Sequence, residues 1–474
     1  MWGLIDAREG ECSARRRYDP RRDPPHGCRV TAWTPVGWWR GLGSLTRSGS
    51  AGQGLSWAMY DFANTIYSYA VVSYAMSLWA VDRMGPKDGQ LWYGVATAIS
   101  VGLNAAVSPV LGAMSDRVGR RMSFLLSFTS LCVIAIAAVG LLPEGGGAGL
   151  ALVGLALFAV SNFGYQAALI YYDASLPLVA RPSSRGRMSG IGVAVGYMGT
   201  IAIALLILIF DTGSSGLTFL LAAGLFATFA VPIFLAVRDG RGTGESFSIG
   251  EAARSWSQVA ETLRHAREVP GLLRFLVGRF FYTDPANTAI VVMAVFATEA
   301  MGMTKGEANL ILLVLTVAAV AASFGYGHAV ERFGPKRVLL FVLSSWCVGL
   351  GLVGAFLTLP TFLIGGAILG AGLGGMWTSD RVFMLRLSPP ERVGEFFGLY
   401  GLAGKFSAVI GPLAYGIIIS LLLESIGRAA YQVAILSLFV LMLIGLAILR
   451  GVPEPPGISD EQEIGESLPP RSGM

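Results

Sequence analysis

Apolar residues in this chain come in runs of roughly twenty, each ended by a polar break. A helix rises 1.5 Å per residue, so such a run covers about 30 Å, the hydrocarbon thickness of a bilayer. Twelve runs qualify. They are 55–81, 91–114, 122–142, 149–176, 188–210 and 216–237, then 272–298, 307–330, 338–359, 361–386, 396–423 and 429–450. The strands of a membrane barrel alternate in character and leave no continuous apolar run, so the pattern predicts helices. Most breaks are short, which makes consecutive helices antiparallel neighbours. The central break is longer and has a period of its own. Ser248 and Glu251 form an S-x-x-E capping box, and Ala252, Trp256, Val259, Leu263 and Ala266 recur every three or four residues until Pro270. That spacing predicts an amphipathic helix lying under the membrane body. The expected organisation is a tail (1–54), a six-helix bundle (55–237), a linker (238–270), a second six-helix bundle (271–450) and a second tail (451–474).

Composition agrees. Of 474 residues, 54% are hydrophobic and 14% charged, with mean hydropathy +0.61. Soluble chains carry about a quarter charged residues, so a soluble enzyme, a disordered protein and a disulfide-stapled secreted domain are excluded. Charge is concentrated at the ends: residues 1–50 hold nine Arg against five acids, and 451–474 hold one Arg against five acids. Both tails are expected to be disordered. The net charge of +5 gives no reason to expect nucleic acid as a partner. The breaks following alternate runs carry sixteen Lys and Arg, whereas Arg83, Lys87, Lys305 and Arg428 are the four on the other side. By the positive-inside rule both termini are cytoplasmic, with 142–149 and 299–307 external, in a multi-pass protein of the cell membrane. Cys12, Cys28, Cys132 and Cys347 lack metal-site spacing and read as small hydrophobes.

The two halves repeat each other. Asp61-Phe62-Ala63-Asn64-Thr65 reappears as Asp284-Pro285-Ala286-Asn287-Thr288, each closely preceded by a tyrosine, Tyr60 or Tyr282. At a constant offset, Gly112, Arg117, Gly119 and Leu125 align with Gly327, Arg332, Gly334 and Leu340, and Asp116 meets Glu331. Gly190 and Gly196 pair more weakly with Gly398 and Gly404. Two six-helix bundles of like topology are the plan of secondary transporters that alternate access about a midplane site.

The stretch Gly112 to Arg121, containing Asp116-Arg117, Gly119 and Arg120-Arg121, resembles the G-x-x-x-D-R-x-G-R-R signature of the major facilitator superfamily. Its second copy, Gly327 to Arg337, has Glu331 and Pro335 where that signature has Asp and Arg. Trp57-x-x-Tyr60-Asp61-x-Ala63-Asn64-Thr65, Tyr172-Asp173-Ala174-Ser175-Leu176-Pro177 and Gly394-Glu395-Phe396-Phe397-Gly398-Leu399-Tyr400 resemble the vacuole-effluxer-like branch, the autophagy-related amino-acid effluxers. The resemblance covers about 55–450. It implies the all-α major facilitator fold and an amino-acid-like substrate.

Ionisable side chains inside a bilayer are functional candidates because each costs several kcal/mol. Asp61, Asp173, Asp284 and Asp380 qualify among acids; Arg279, Arg381 and Lys405 among bases. Positions i, i+3 and i+4 share a helix face, so each Asp-x-x-Asn-Thr should point carboxylate, amide and hydroxyl into a cavity. The candidate substrate or proton site is therefore Tyr60, Asp61, Asn64 and Thr65 with Arg279, Tyr282, Asp284, Asn287, Thr288 and Lys405. Arg279, five residues before Asp284, is taken as that acid's partner. Asp61 is then the unpartnered acid and the expected proton carrier. Gly112, Asp116, Arg117, Gly119, Arg120, Arg121, Glu331 and Arg332 are assigned to gating through ion pairs and helix dipoles. Asp173, Asp380 and Arg381 join them as local ion-pair structure near Arg386. No Walker A loop and no Cys/His metal set occurs, so neither an enzymatic activity nor a cofactor is expected. The reading is a monomeric secondary transporter of a small polar solute, with a proton as the candidate coupling ion for export or uptake. The alternative is a lipid or lysolipid translocator on the same fold.

Overall fold

The computed structural model describes residue 46 and residues 50–144, 147–210, 212–213, 215–239 and 256–454. The described residues are overwhelmingly helical. The first half holds α1 (Ala51–Tyr67), α2 (Met76–Met84), α3 (Pro86–Val118), α4 (Arg121–Gly140), α5 (Ala148–Ala174), the short α6 (Leu176–Val179), α7 (Arg185–Phe210) and α8 (Gly216–Ala236). After the connecting helix α9 (Trp256–Glu268) come α10 (Leu272–Val295), α11 (Lys305–Phe333), α12 (Pro335–Ala355), α13 (Leu359–Leu387), α14 (Val393–Ile426) and α15 (Ala429–Arg450). Among the described residues, ten helices are long and apolar enough to cross a membrane. The segments at the first and seventh positions are the more polar exceptions. Each passes through a π-helical stretch, Ser68–Ala75 after α1 and Phe296–Ala300 after α10. Pro285 lies inside α10, as expected.

The spans follow the apolar pattern with small shifts of register. α1 begins at Ala51, and α3 at Pro86, whose fixed φ suits a first helical turn. α10 begins at Leu272, with Arg274 and Arg279 inside the helix. The capping box foreseen at Ser248 and Glu251 lies outside the described residues, as do most of both tails. A capping box does form at Thr304 and Glu307, at the start of α11. α4 has no side-chain cap of its own; Asp239 supplies one, accepting the Met122 N–H at 2.8 Å.

In the first half α1 packs on α7 and α8, α5 on α3 and α4, and α4 on α8. In the second half α13 packs on α11 and α12, and α10 on α14 and α15. Small residues allow the close approaches: Gly192, Gly196 and Gly199 of α7 lie against Trp57, Thr65 and Phe62 of α1. The two halves meet along α3–α14 and α7–α11. On α3–α14 the contact is backbone to backbone, Gly112 against Gly394 and Gly398 against Ser108 and Pro109. Gly94 and Gly416 lie about five turns further on the same helix faces, and a methyl there would meet nothing within 4 Å. The halves are therefore joined at the end bearing the α3–α4 turn and part toward the other end.

Candidate functional site

Where the halves part, a cavity of about 400 Å³ opens. Asp61 and Asn64 of α1, Asp173 of α5, Arg279 and Asn287 of α10, Arg381 of α13 and Lys405 of α14 all line it. All but Asn287 and Asp173 are at least nine-tenths buried. At such depth charges must be paired or hydrogen-bonded.

Arg381 crosses between the halves. Its Nε lies 2.9 Å from Asp173 Oδ1 and its Nη1 lies 3.7 Å from Asp61 Oδ2. Trp57 and Tyr172 offer their ring faces to the same guanidinium, each with its centroid 5.4 Å away. Arg279 stays within its own half: its Nε lies 3.1 Å from Asp380 Oδ2, and its guanidinium sits 3.5 Å from the centroid of the Tyr400 ring. Tyr282 and Tyr400 donate to the two Asp380 oxygens at 2.8 and 3.1 Å. Lys405 has no carboxylate within 4 Å among the described residues. It donates to Asn104 Oδ1, to Ser108 Oγ at 3.2 Å and to the Gln166 carbonyl at 3.4 Å.

These pairings correct several expectations. Asp380 and Arg381 do not form a local pair. Neighbours on a helix point about 100° apart, so each pairs across the fold, while Arg386 faces Glu454 at 3.6 Å. Arg279 does not serve Asp284, since residues five apart diverge by about 140°. The acid with a nearby base is Asp61, and Asp284 is the one without. Nor does either repeat motif present a single face to the cavity. Asp61 and Asn64 line it, but Thr65 donates to the Gly196 carbonyl and Tyr60 bonds Thr129 at 2.7 Å inside the first half. Asn287 lines it, while Asp284 and Thr288 turn toward Gly411 of α14, and Tyr282 toward Asp380. The residues that hold Lys405, Asn104 and Ser108, were missed. Their signal was a polar i, i+4 pair in the run 91–114, continuing into Gly112.

The gating residues gather at the joined end. Asp116 accepts the backbone N–H groups of Gly394 and Glu395 at 3.0 and 2.8 Å, and Arg121 Nη2 braces it at 2.7 Å. Glu331 makes the pseudo-symmetric contact. It accepts the Arg187 N–H at the start of α7 at 3.1 Å and pairs with the Arg187 side chain. Both carboxylates thus sit on helix N-termini of the opposite half, where the dipole favours negative charge. Gly119 and Gly334 hold φ of +66° and +85° in the turns that follow, which explains their place in the repeat. Arg120 occupies the N-cap position of α4. Arg332 lies 5.3 Å from the Phe333 ring. Arg117 lines a second cavity of about 360 Å³ with Asp116, His265 and Glu395.

Two joined helical halves with a polar cavity between them have the architecture of a multi-pass integral membrane transporter of the major facilitator fold. The crystal structure of the human organic anion transporter MFSD10 superposes with a TM-score of 0.65 at 15% identity, covering 84% of this chain and 98% of that one. The chain belongs to the vacuole effluxer Atg22-like family, whose model matches residues 93–462. It is 27% identical over 416 residues to the MFS-type transporter YxiO of Bacillus subtilis, covering 84% of this chain and 94% of that protein. Autophagy-related protein 22 of Cryptococcus neoformans is 25% identical over 321 residues, 62% of this chain and 54% of that protein.

Proposed function

We propose that this transporter carries a small zwitterionic solute of the amino-acid type through the cavity between its halves. One observation carries the reading. Once Arg279 is matched to Asp380, and Arg381 to Asp173, two cavity charges lack a full partner: the Asp61 carboxylate and the Lys405 ammonium. They stand on α1 and α14, in opposite halves. An ammonium placed at Asp61 and a carboxylate placed at Lys405 would each meet opposite charge, and the solute would bridge the halves. Binding that bridges two rocking bodies is the ingredient alternating access requires. About 400 Å³ suits a molecule of this size and is small for a lipid with two acyl chains.

In the proposed orientation the arginine-rich loops face the cytoplasm, so the cavity opens outward and Asp116 and Glu331 close the inner end. The test is counterflow in liposomes holding the full-length protein. Unlabelled amino acids on the inside should drive uptake of a labelled one, and amines lacking the carboxylate should compete poorly. Equal competition by such amines would overturn the zwitterion reading.

A further inference from the structure

Asp284 and Thr288 lie one turn apart on α10 and face the seam with α14, away from the cavity. They are 2% and 0% exposed. Neither Asp284 oxygen nor Thr288 Oγ1 has a hydrogen-bond partner among the described residues. A side chain on Gly411 would strike both Thr288 Oγ1 and Asp284 Oδ2, so these oxygens share one small space that only glycine leaves open. The titratable groups on surrounding helices are directed elsewhere. Arg279 and Asp380 pair with each other, Arg381 turns to Asp61 and Asp173, and Lys405 turns to α3. Tyr415, one turn beyond Gly411, has a buried hydroxyl without a partner among the described residues, and Tyr431 of α15 packs on Phe296. Glu307 of α11 caps its own helix. Among the described residues no cation offsets Asp284, whereas Asp61 has Arg381.

An ionised carboxylate so placed costs several kcal/mol. One proton removes that cost and supplies an O–H that can donate to Thr288 Oγ1. Three side-chain oxygens are too few for a hard metal cation, which takes about six or more. The same seam carries polar side chains as far as the cavity: Thr283 Oγ1 and Ser407 Oγ are 2.9 Å apart, and Asn287, which lines the cavity, donates to Ser407 Oγ at 3.4 Å. We infer that Asp284 is a proton-binding site built into the α10–α14 seam, separate from the solute cavity, and that it carries the coupling proton of transport. Binding is the neutralisation of one carboxylate by one proton, released again as the carboxylate re-forms. Because Asp284, Thr288 and Gly411 do not line the cavity, proton and solute occupy different places and can be bound together. The coupling role rests on the transporter reading above; the proton site itself does not.

The experiment uses full-length protein in liposomes, with Asp284→Asn, Asp284→Glu and Thr288→Val beside the parent. Asp284→Asn should keep counterflow while losing accumulation driven by an imposed pH gradient and losing solute-coupled proton flux. Asp284→Glu should retain both. Infrared difference spectra of the purified protein supply a readout independent of any solute. A protonated-carboxyl stretch should be present in the parent and missing in Asp284→Asn. Undiminished pH-driven accumulation in Asp284→Asn, or net solute uptake by the parent without proton flux, overturns the coupling role while leaving the solute reading intact. A spectrum unchanged by Asp284→Asn overturns the site itself, whatever is transported. Absent counterflow with every amino acid, alongside the expected spectral change, would count against the solute reading alone.

Discussion

Asp116 and Glu395 meet through backbone: the Asp116 carboxylate on α3 accepts the Glu395 N–H of α14 at 2.8 Å. The Glu395 side chain is then free to face the connecting helix, where His265 Nδ1 lies 3.0 Å from its Oε1. One residue thus links the joined end of both halves to α9. The Asp116 contact is charge-assisted and lies on a helix N-terminus, so it favours the arrangement in which this end is closed.

Asp116→Asn should weaken that closure. Exchanging an ionised acceptor for an amide at a helix N-terminus costs about 1–2 kcal/mol, a shift of roughly 5–30-fold in a two-state equilibrium. Solute affinity measured at the cavity should change little. The check is labelling of a cysteine placed at Asn64 in a background lacking the native cysteines. Reagent supplied from the open side should react more slowly in the variant, and an unchanged rate would remove Asp116 from the gate.

Glu331→Gln should act in the same direction and more weakly. Glu331 holds one backbone N–H rather than two, and its Arg187 partner has a side chain 39% exposed. Solvent screening limits such a pair to about 0–1 kcal/mol. The same Asn64 labelling assay should rank it between the parent and Asp116→Asn.

Gly398→Leu should open the joined end by bulk rather than charge. A side chain there would run into the Ser108 carbonyl and Pro109 Cα of α3, which are backbone atoms that cannot step aside. The variant should insert into membranes normally yet resemble Asp116→Asn in labelling. Labelling equal to the parent's would mean that the two helices can separate at Gly398 without cost.

Much of this was written in the sequence, and the losses have a physical pattern. Span positions follow from run length, because hydrocarbon thickness leaves little choice. The gate motif is legible because Gly119 and Gly334 meet a local demand for left-handed backbone beside charged helix ends, whereas the helix N-termini that Asp116 and Glu331 reach belong to the opposite half. Pairing among buried charges is decided by which helix lies opposite, and periodicity is silent on that. Arg381 reaching Asp61 and Asp173 across the halves could not be read from spacing. The mistaken Arg279–Asp284 pair could have been avoided, since five residues turn a helix face away.

Orientation is tested from the exposed residues of the loops. Arg264 of α9 and Glu299 beyond α10 have exposed side chains. In the cysteine-free background, Arg264→Cys should react only after the membrane is permeabilised, and Glu299→Cys should react in intact cells. The opposite result would invert the protein and turn the cavity toward the cytoplasm.

Lys405→Met is the sharpest test of the solute. The ammonium is held by a side-chain amide, a hydroxyl and a carbonyl, all neutral, so a carboxylate arriving in the cavity has the stronger claim on it. Methionine is unbranched and one atom shorter, and it loses the charge. A hydrogen bond to a charged group is worth about 1.5–3 kcal/mol, so affinity for a carboxylate-bearing solute should fall roughly tenfold to a hundredfold. An amine of the same side chain without the carboxylate should bind parent and variant alike. Asp61→Asn should give the mirror result, sparing a carboxylate that lacks the ammonium. The pair of variants separates recognition from folding, because a misfolded protein would lose both ligands together. If Lys405→Met weakened the amine as much as the amino acid, Lys405 would be a strut between α14 and α3, and the carboxylate would have to bind elsewhere.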